Sequence, residues 1–239
     1  LGRAHYKLGL AYLSENRTQA SFLEFQKAVR LNPDDKASWN LLRYLHTKLE
    51  HYTEGEEAYL KAIAIDPDYS DAYNNLGVLY SQLKRWDDAV SAFNKALANP
   101  LYKTPQKALN NLGYAQMQQG DYGAAERSFR EALQRGKAPR AHYNLALVYF
   151  HQGADDRAVS ALKSAVFEAP GYVDAHWRLA QYYLDRGTPD LAVPHLEAVA
   201  RLVPEDERGR SAKRYLGLIR GRSDHSSTLE ASGRTRKGA

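Results

Sequence analysis

The chain has no cysteine and a single methionine among its 239 residues. The missing cysteines exclude disulfides, thiolate metal sites and cysteine nucleophiles together, although they leave the compartment open. Long apolar runs are also lacking. None approaches the roughly 20 residues that a membrane-spanning helix needs, so the segment is expected to be soluble. Stretches that announce chemistry are missing too: there is no G-x-x-x-x-G-K-[ST], no G-x-S-x-G and no H-E-x-x-H. The first residue is Leu1, already inside a helical pattern. We read this as a mature or trimmed fragment from which a leader or a lipid-attachment cysteine would have been removed.

An excess of positive charge is present but in the wrong place for nucleic acid. From Glu205 onward nine Lys and Arg face five Asp and Glu, so four of the chain's five net positive charges lie at the C-terminal end. A duplex-binding surface carries its basic stripe on the folded body. No nucleic-acid partner is expected.

The chain does hold a repeating unit. Residues 71–100 place Tyr73, Leu76-Gly77, Tyr80, Ala89, Phe93, Ala96 and Pro100 at the spacing W/Y-x2-L-G-x2-Y, A-x3-F, P. Small residues at Gly77, Ala89 and Ala96 let two helices cross closely, and Leu76, Tyr80 and Phe93 fill the gaps between them. The pattern resembles the tetratricopeptide repeat, about 34 residues per unit. Six units follow, at about 2–35, 36–69, 70–105, 106–138, 139–172 and 173–206. The resemblance implies an all-α fold: a right-handed superhelix, or α-solenoid, of six helix-turn-helix repeats. Residues 207–220 read as a C-terminal capping helix. Residues 221–239, rich in Ser, Gly, Thr and Arg, are expected to form a disordered basic tail.

Departures from the repeat are few. In the second unit Arg43 stands at the small position, His46 at an aromatic one and Gly55 at an alanine. A buried, unpaired Arg is costly, so Arg43 is expected to snorkel to the surface. Gln116 replaces an aromatic in the fourth unit, and Pro194 falls inside the last repeat. The longest connector is Asn99-Pro100-Leu101-Tyr102-Lys103-Thr104-Pro105, with Thr104 expected as an N-cap.

No residue set points to catalysis, a metal or a cofactor. His5, His142 and His176 hold the repeat position of Trp39 and Tyr73, which favours packing over ligation. The doublets Asp34-Asp35, Asp87-Asp88 and Asp155-Asp156 lie at turns or helix starts, where carboxylates suit the helix dipole. The chain is not expected to be an enzyme.

What remains is surface. By resemblance, the first helix of each unit lines a concave groove. Its candidate peptide-binding residues are Asn40, Tyr44, Asn74, Lys107, Asn110, Tyr114, Arg140, Tyr143, Phe150 and Trp177. Asparagine amides can pair with peptide backbone, and aromatic faces offer apolar pockets. A chaperone-binding carboxylate clamp is not supported, because the necessary cations do not align over three consecutive units.

The connector, followed by Ala108-Leu109-Asn110-Asn111-Leu112-Gly113-Tyr114, resembles the bacterial type IV pilus biogenesis and stability lipoproteins, or pilotins. Six units and a capping helix are also their architecture. The resemblance implies a non-catalytic scaffold at the periplasmic face of the outer membrane. It would meet the membrane only through a lipid anchor outside this segment, and help a secretin subunit assemble or localise. The alternatives are a general adaptor in the cytoplasm and the regulatory array of a truncated enzyme.

Overall fold

The computed structural model describes residues 2–48 and 52–235; the side chains of residues 19, 46–48, 52–55 and 222–235 fall outside that description. His46 and Gly55 are therefore outside it. Among the described residues the chain is all-α, with thirteen helices and no strand. They divide into two compact units, Leu1–Gly136 and Lys137–Ala239.

The first unit holds four helix pairs: α1 (Gly2–Ser14) with α2 (Thr18–Leu31), α3 (Lys36–Lys48) with α4 (Tyr52–Ile65), α5 (Ser70–Gln82) with α6 (Trp86–Ala98), and α7 (Pro105–Gln118) with α8 (Tyr122–Gln134). Each pair packs on itself and on the next. The second unit holds α9 (Pro139–His151) with α10 (Asp155–Glu168), α11 (Val173–Asp185) with α12 (Pro189–Leu202), and a last helix, α13 (Glu207–Thr235), against α12.

The chain reverses between paired helices at one recurrent position, the fifteenth of the unit. Gly120, Gly153 and Gly187 occupy the left-handed region there, and Asn16 and Lys84 take the same conformation. Carboxylates cap some helix starts but not all: Asp87-Asp88 and Asp155-Asp156 lie in the first turns of α6 and α10, where the N-cap residues Arg85 and Ala154 make no side-chain capping bond. Asp35 accepts from the Ala37 N–H at 3.1 Å, and Asp121 accepts from the Ala124 N–H at 2.8 Å. Thr104 does stand at the N-cap of α7, followed by Pro105, but its side chain makes no capping hydrogen bond. Pro194 is the sixth residue of α12 and so lies in its interior.

Cores form where small meets large. A β-carbon at Gly9, Gly77 or Gly113 would come within 2.9, 2.5 or 2.7 Å of the ring of Phe25, Phe93 or Phe129, the residue sixteen places later. All three phenylalanines are fully buried. In the second unit the same two positions are Ala146 with Leu162 and Ala180 with Leu196, again fully buried. A larger small partner is matched by a smaller large one.

The second repeat departs from this and corrects an expectation. Arg43 does not reach the surface: it is 0% exposed, and its guanidinium lies 4.5 Å from the centre of the Tyr59 ring. The pair Arg43–Tyr59 occupies the same two positions as Gly77–Phe93. Cation–π stacking offsets part of the desolvation, and burial still pulls the guanidinium down to about 10.

Other polar replacements are satisfied locally. Ser21 donates to the Gly9 carbonyl at 2.8 Å, and Ser128 donates to Gln116 at 2.7 Å.

The terminal helix also differs from the composition-based reading. α13 continues as helix to Thr235, where helix was expected only to 220 and disorder after it. No proline interrupts residues 207–235, so nothing in the backbone stops the helix. Residues 236–239 lie outside the described residues. No helix among those described is long and apolar enough to cross a membrane.

Candidate peptide-binding faces

In the first unit the face in question is built on α3, α5 and α7. These first helices touch one another directly. Their asparagines form a ladder: Asn75 donates to Asn40 at 3.0 Å, and Asn111 donates to Asn74 at 3.2 Å. Asn40 is buried, and its amide nitrogen also lies 3.4 Å from the Tyr69 hydroxyl. Both ends of Asn40 are therefore engaged within the fold, so its role is to join repeats. Asn74 lends only its oxygen to the ladder. Asn110 sits 3.5 Å from Asn111 and is half-buried.

Beside the ladder two aromatics stand out. Tyr44 and Tyr114 are 43% and 41% exposed, unusual for rings within a packed array. Tyr114 leans edge-on against Trp86, with centroids 6.3 Å apart, which fixes its direction. Lys107 is exposed nearby on the same helix. The first-unit face thus offers two rings, one cation and partly committed amides.

In the second unit a cleft of about 370 Å³ opens over the first helices α9, α11 and α13. Tyr143 and Leu147 come from α9, Asp174, Trp177, Arg178 and Gln181 from α11, and Arg208 from α13. Tyr143 packs at a tilt against Tyr172, with centroids 5.4 Å apart, and Trp177 against Tyr215 at 6.5 Å. Phe150 lies further along α9, packed on Tyr182 at 5.7 Å and covered by the Arg178 guanidinium at 5.0 Å. Burial raises the Tyr143 hydroxyl and pushes Tyr172 up to about 12, so both stay neutral donors at physiological pH. Arg208 donates to Asp174 at 2.5 Å and to Asp206 at 3.3 Å. The structure therefore brings Tyr143 and Trp177 into one cleft, sets Phe150 beside it, and leaves Arg140 exposed on the same helix.

Sequence reasoning missed Arg178, Asp174, Arg208 and Tyr215. A signal for the last two was present. The unit starts 139 and 173 continue at 207, so α13 repeats the register of a first helix. Arg208 and Tyr215 are then its second and ninth residues, the positions already assigned to the groove in earlier repeats.

Among the described residues the histidines form no metal-binding group. His5 meets Glu24 at 2.6 Å and His142 lies 3.7 Å from Glu168. His176 Nδ1 meets His195 Nδ1 at 3.1 Å while its Nε2 donates to the Pro170 carbonyl. Each thus ties the first helix to the second, and His176 also to the turn that precedes its helix.

Models described as tetratricopeptide repeat match residues 2–35 and 37–69, 58–91, and 110–173 and 156–207. The chain belongs to the tetratricopeptide repeat family. No curated protein matches the sequence. Among solved structures, PilW, described as a widely conserved type IV pilus biogenesis factor, is similar with a TM-score of 0.77 at 22% identity. The match covers 88% of this chain and 97% of PilW. PilF of Pseudomonas aeruginosa is similar at TM-score 0.75 and 19% identity, covering 89% of this chain and 96% of that one. A chain of the APC/C hetero-tetramer Cut9–Hcn1 reaches 0.73 at 21% identity, covering 90% of this chain but only 42% of its own. At these identities the likeness establishes the tetratricopeptide fold alone.

Proposed function

We propose that this tetratricopeptide chain is a non-catalytic scaffold for type IV pilus biogenesis that helps the outer-membrane secretin assemble or localise. It works at the periplasmic face of the outer membrane, held there by a lipid anchor outside this segment. The observation that carries the reading is the extent of the likeness. PilW and PilF are matched over 97% and 96% of their own length, whereas the Cut9–Hcn1 chain is matched over less than half. The connector Asn99–Pro105 adds weight, since its Tyr102 is buried while Leu101 is 84% exposed at its tip. Peptide recognition falls to the exposed faces of the first helices. Tyr44, Lys107 and Tyr114 serve in the first unit, Arg140, Tyr143, Phe150 and Trp177 in the second, and Asn74 and Asn110 supply amides.

The test is a pull-down from envelope extract. Recovery of a secretin, lost in the Tyr114→Ala plus Tyr143→Ala variant, is the expected result. Recovery of a different complex, with no secretin, would replace this reading with a general adaptor. The Cut9–Hcn1 likeness keeps that second reading open, because it shows the same fold serving an unrelated assembly.

A further inference from the structure

The cleft over α9, α11 and α13 has a charge imbalance that packing does not explain. Arg178 lies over the face of Phe150 at 5.0 Å, and among the described residues no carboxylate pairs with it. Among the described residues, Asp174 is the one acid lining the cleft, and it is already held by Arg208. Arg178 and Arg208 share the cleft with the rings of Tyr143 and Trp177, each in contact with a second ring. Tyr143 feels Arg178 and Arg208 as well as Asp174, so the tyrosine hydroxyl and both guanidinium groups share one neighbourhood.

We propose that this cleft receives an internal segment of the partner protein in which acidic and aromatic side chains alternate. The carboxylate pairs with Arg178, and the neighbouring ring lies against Trp177 and Tyr143. Arginine presents a planar fork of donors that matches a carboxylate, which a lysine would not. Arg178 is preset by its stacking on Phe150, so little freedom is lost when it binds. Alternation suits a peptide lying between the walls of a cleft, because an extended chain directs successive side chains to opposite sides, the carboxylate to one and the neighbouring ring to the other. The inference rests on the peptide-binding reading above and specifies the partner's chemistry.

The experiment is fluorescence anisotropy on the whole chain with four short labelled peptides. Three have both ends blocked and alternate phenylalanine with aspartate, asparagine or lysine. The fourth has a free C-terminal carboxylate and no acidic side chain. The aspartate peptide should bind tightest, by about tenfold over the asparagine one, the gain expected from a charge-assisted hydrogen bond. Arg178→Gln should remove most of that preference, while Lys103→Gln in the connector should leave it intact. Equal binding of the aspartate and asparagine peptides overturns the proposal. So does tightest binding of the free-carboxylate peptide, an Arg178→Gln variant that retains the preference, or no binding of any peptide up to about 1 mM. The two readings fail separately. Aspartate preference without secretin recovery would remove the pilus function and keep the cleft. Secretin recovery with no peptide preference would do the reverse.

Discussion

Gly77 faces the ring of Phe93 so closely that a β-carbon on the glycine would sit 2.5 Å from it. Sixteen residues separate the two, and the same separation links Gly113 to Phe129, Ala146 to Leu162 and Ala180 to Leu196. Pair volume, more than either residue alone, is what the helix crossing requires. Gly77→Ala should therefore destabilise the first unit by about 1–3 kcal/mol through overpacking. Phe93→Leu alone should also cost about 1–3 kcal/mol by leaving a gap. The double variant reproduces the alanine–leucine pair of the later repeats and should recover at least 0.5 kcal/mol over the sum, roughly the smallest coupling seen between touching residues. Urea unfolding of all four proteins measures it, and strict additivity would contradict complementary packing.

Lys84 carries a left-handed backbone, φ 57°, at the turn position where three other repeats place glycine. An L-residue with a β-carbon is strained there by about 1–2 kcal/mol, partly offset in glycine by a more flexible unfolded chain. Lys84→Gly should raise stability by roughly 0.5–1 kcal/mol. A lowered thermal midpoint would show that the lysine side chain contributes something the backbone argument omits.

His176 and His195 meet inside the second unit, with Lys163 and Arg201 as nearby cations. Burial, more than these charges, holds both imidazoles below their ordinary 6.5, and His195 down to about 4. The unfolded chain thus binds more protons between those two values. The stability present above pH 6.5 should be lost progressively as the pH falls toward about 4. His195→Gln should flatten this dependence between pH 6.5 and 4.5 in denaturant titrations, while an unchanged slope would assign it to other groups.

Gly209 is the third residue of α13, where a β-carbon would lie 1.9 Å from the Val203 carbonyl oxygen. Backbone cannot yield as a side chain does, so Gly209→Ala should displace the start of α13 from α12. The expected result is faster amide exchange along residues 207–220 and weaker binding at the cleft, since Arg208 would move with the helix. A variant with wild-type exchange in α13 would refute the close approach.

Much of this architecture was legible in the chain because the repeat is dictated by side-chain volume at fixed spacing. Leu76, Gly77, Tyr80 and Phe93 identify one helix pair, and their counterparts identify the others. Arg43 was misread for a physical reason: its partner Tyr59 also looks ordinary in the repeat, and only the fold shows the guanidinium lying over that ring. The candidate site was legible in part. Tyr143 and Trp177 do meet in one cleft, but Asn40 is spent on joining helices, a role that a list of polar residues cannot distinguish from exposure. Residues 207–220 were read as a capping helix, but its register as a seventh first helix, with Arg208 and Tyr215 at groove positions, went unnoticed; Ser, Gly and Arg suggested a loose tail only beyond it, where the helix runs on to Thr235.

The seventh, eighth and eleventh residues of α13 are Lys213, Arg214 and Gly217, all exposed, where α9 and α11 bury leucine, alanine and tyrosine. Those are the places that would seat a companion helix. Among the described residues, α13 therefore lacks the apolar seat that α9 and α11 offer, through the identity of three residues. Exchanging them for leucine, alanine and tyrosine should create a sticky edge onto which one more helix could be grafted, or two molecules joined end to end.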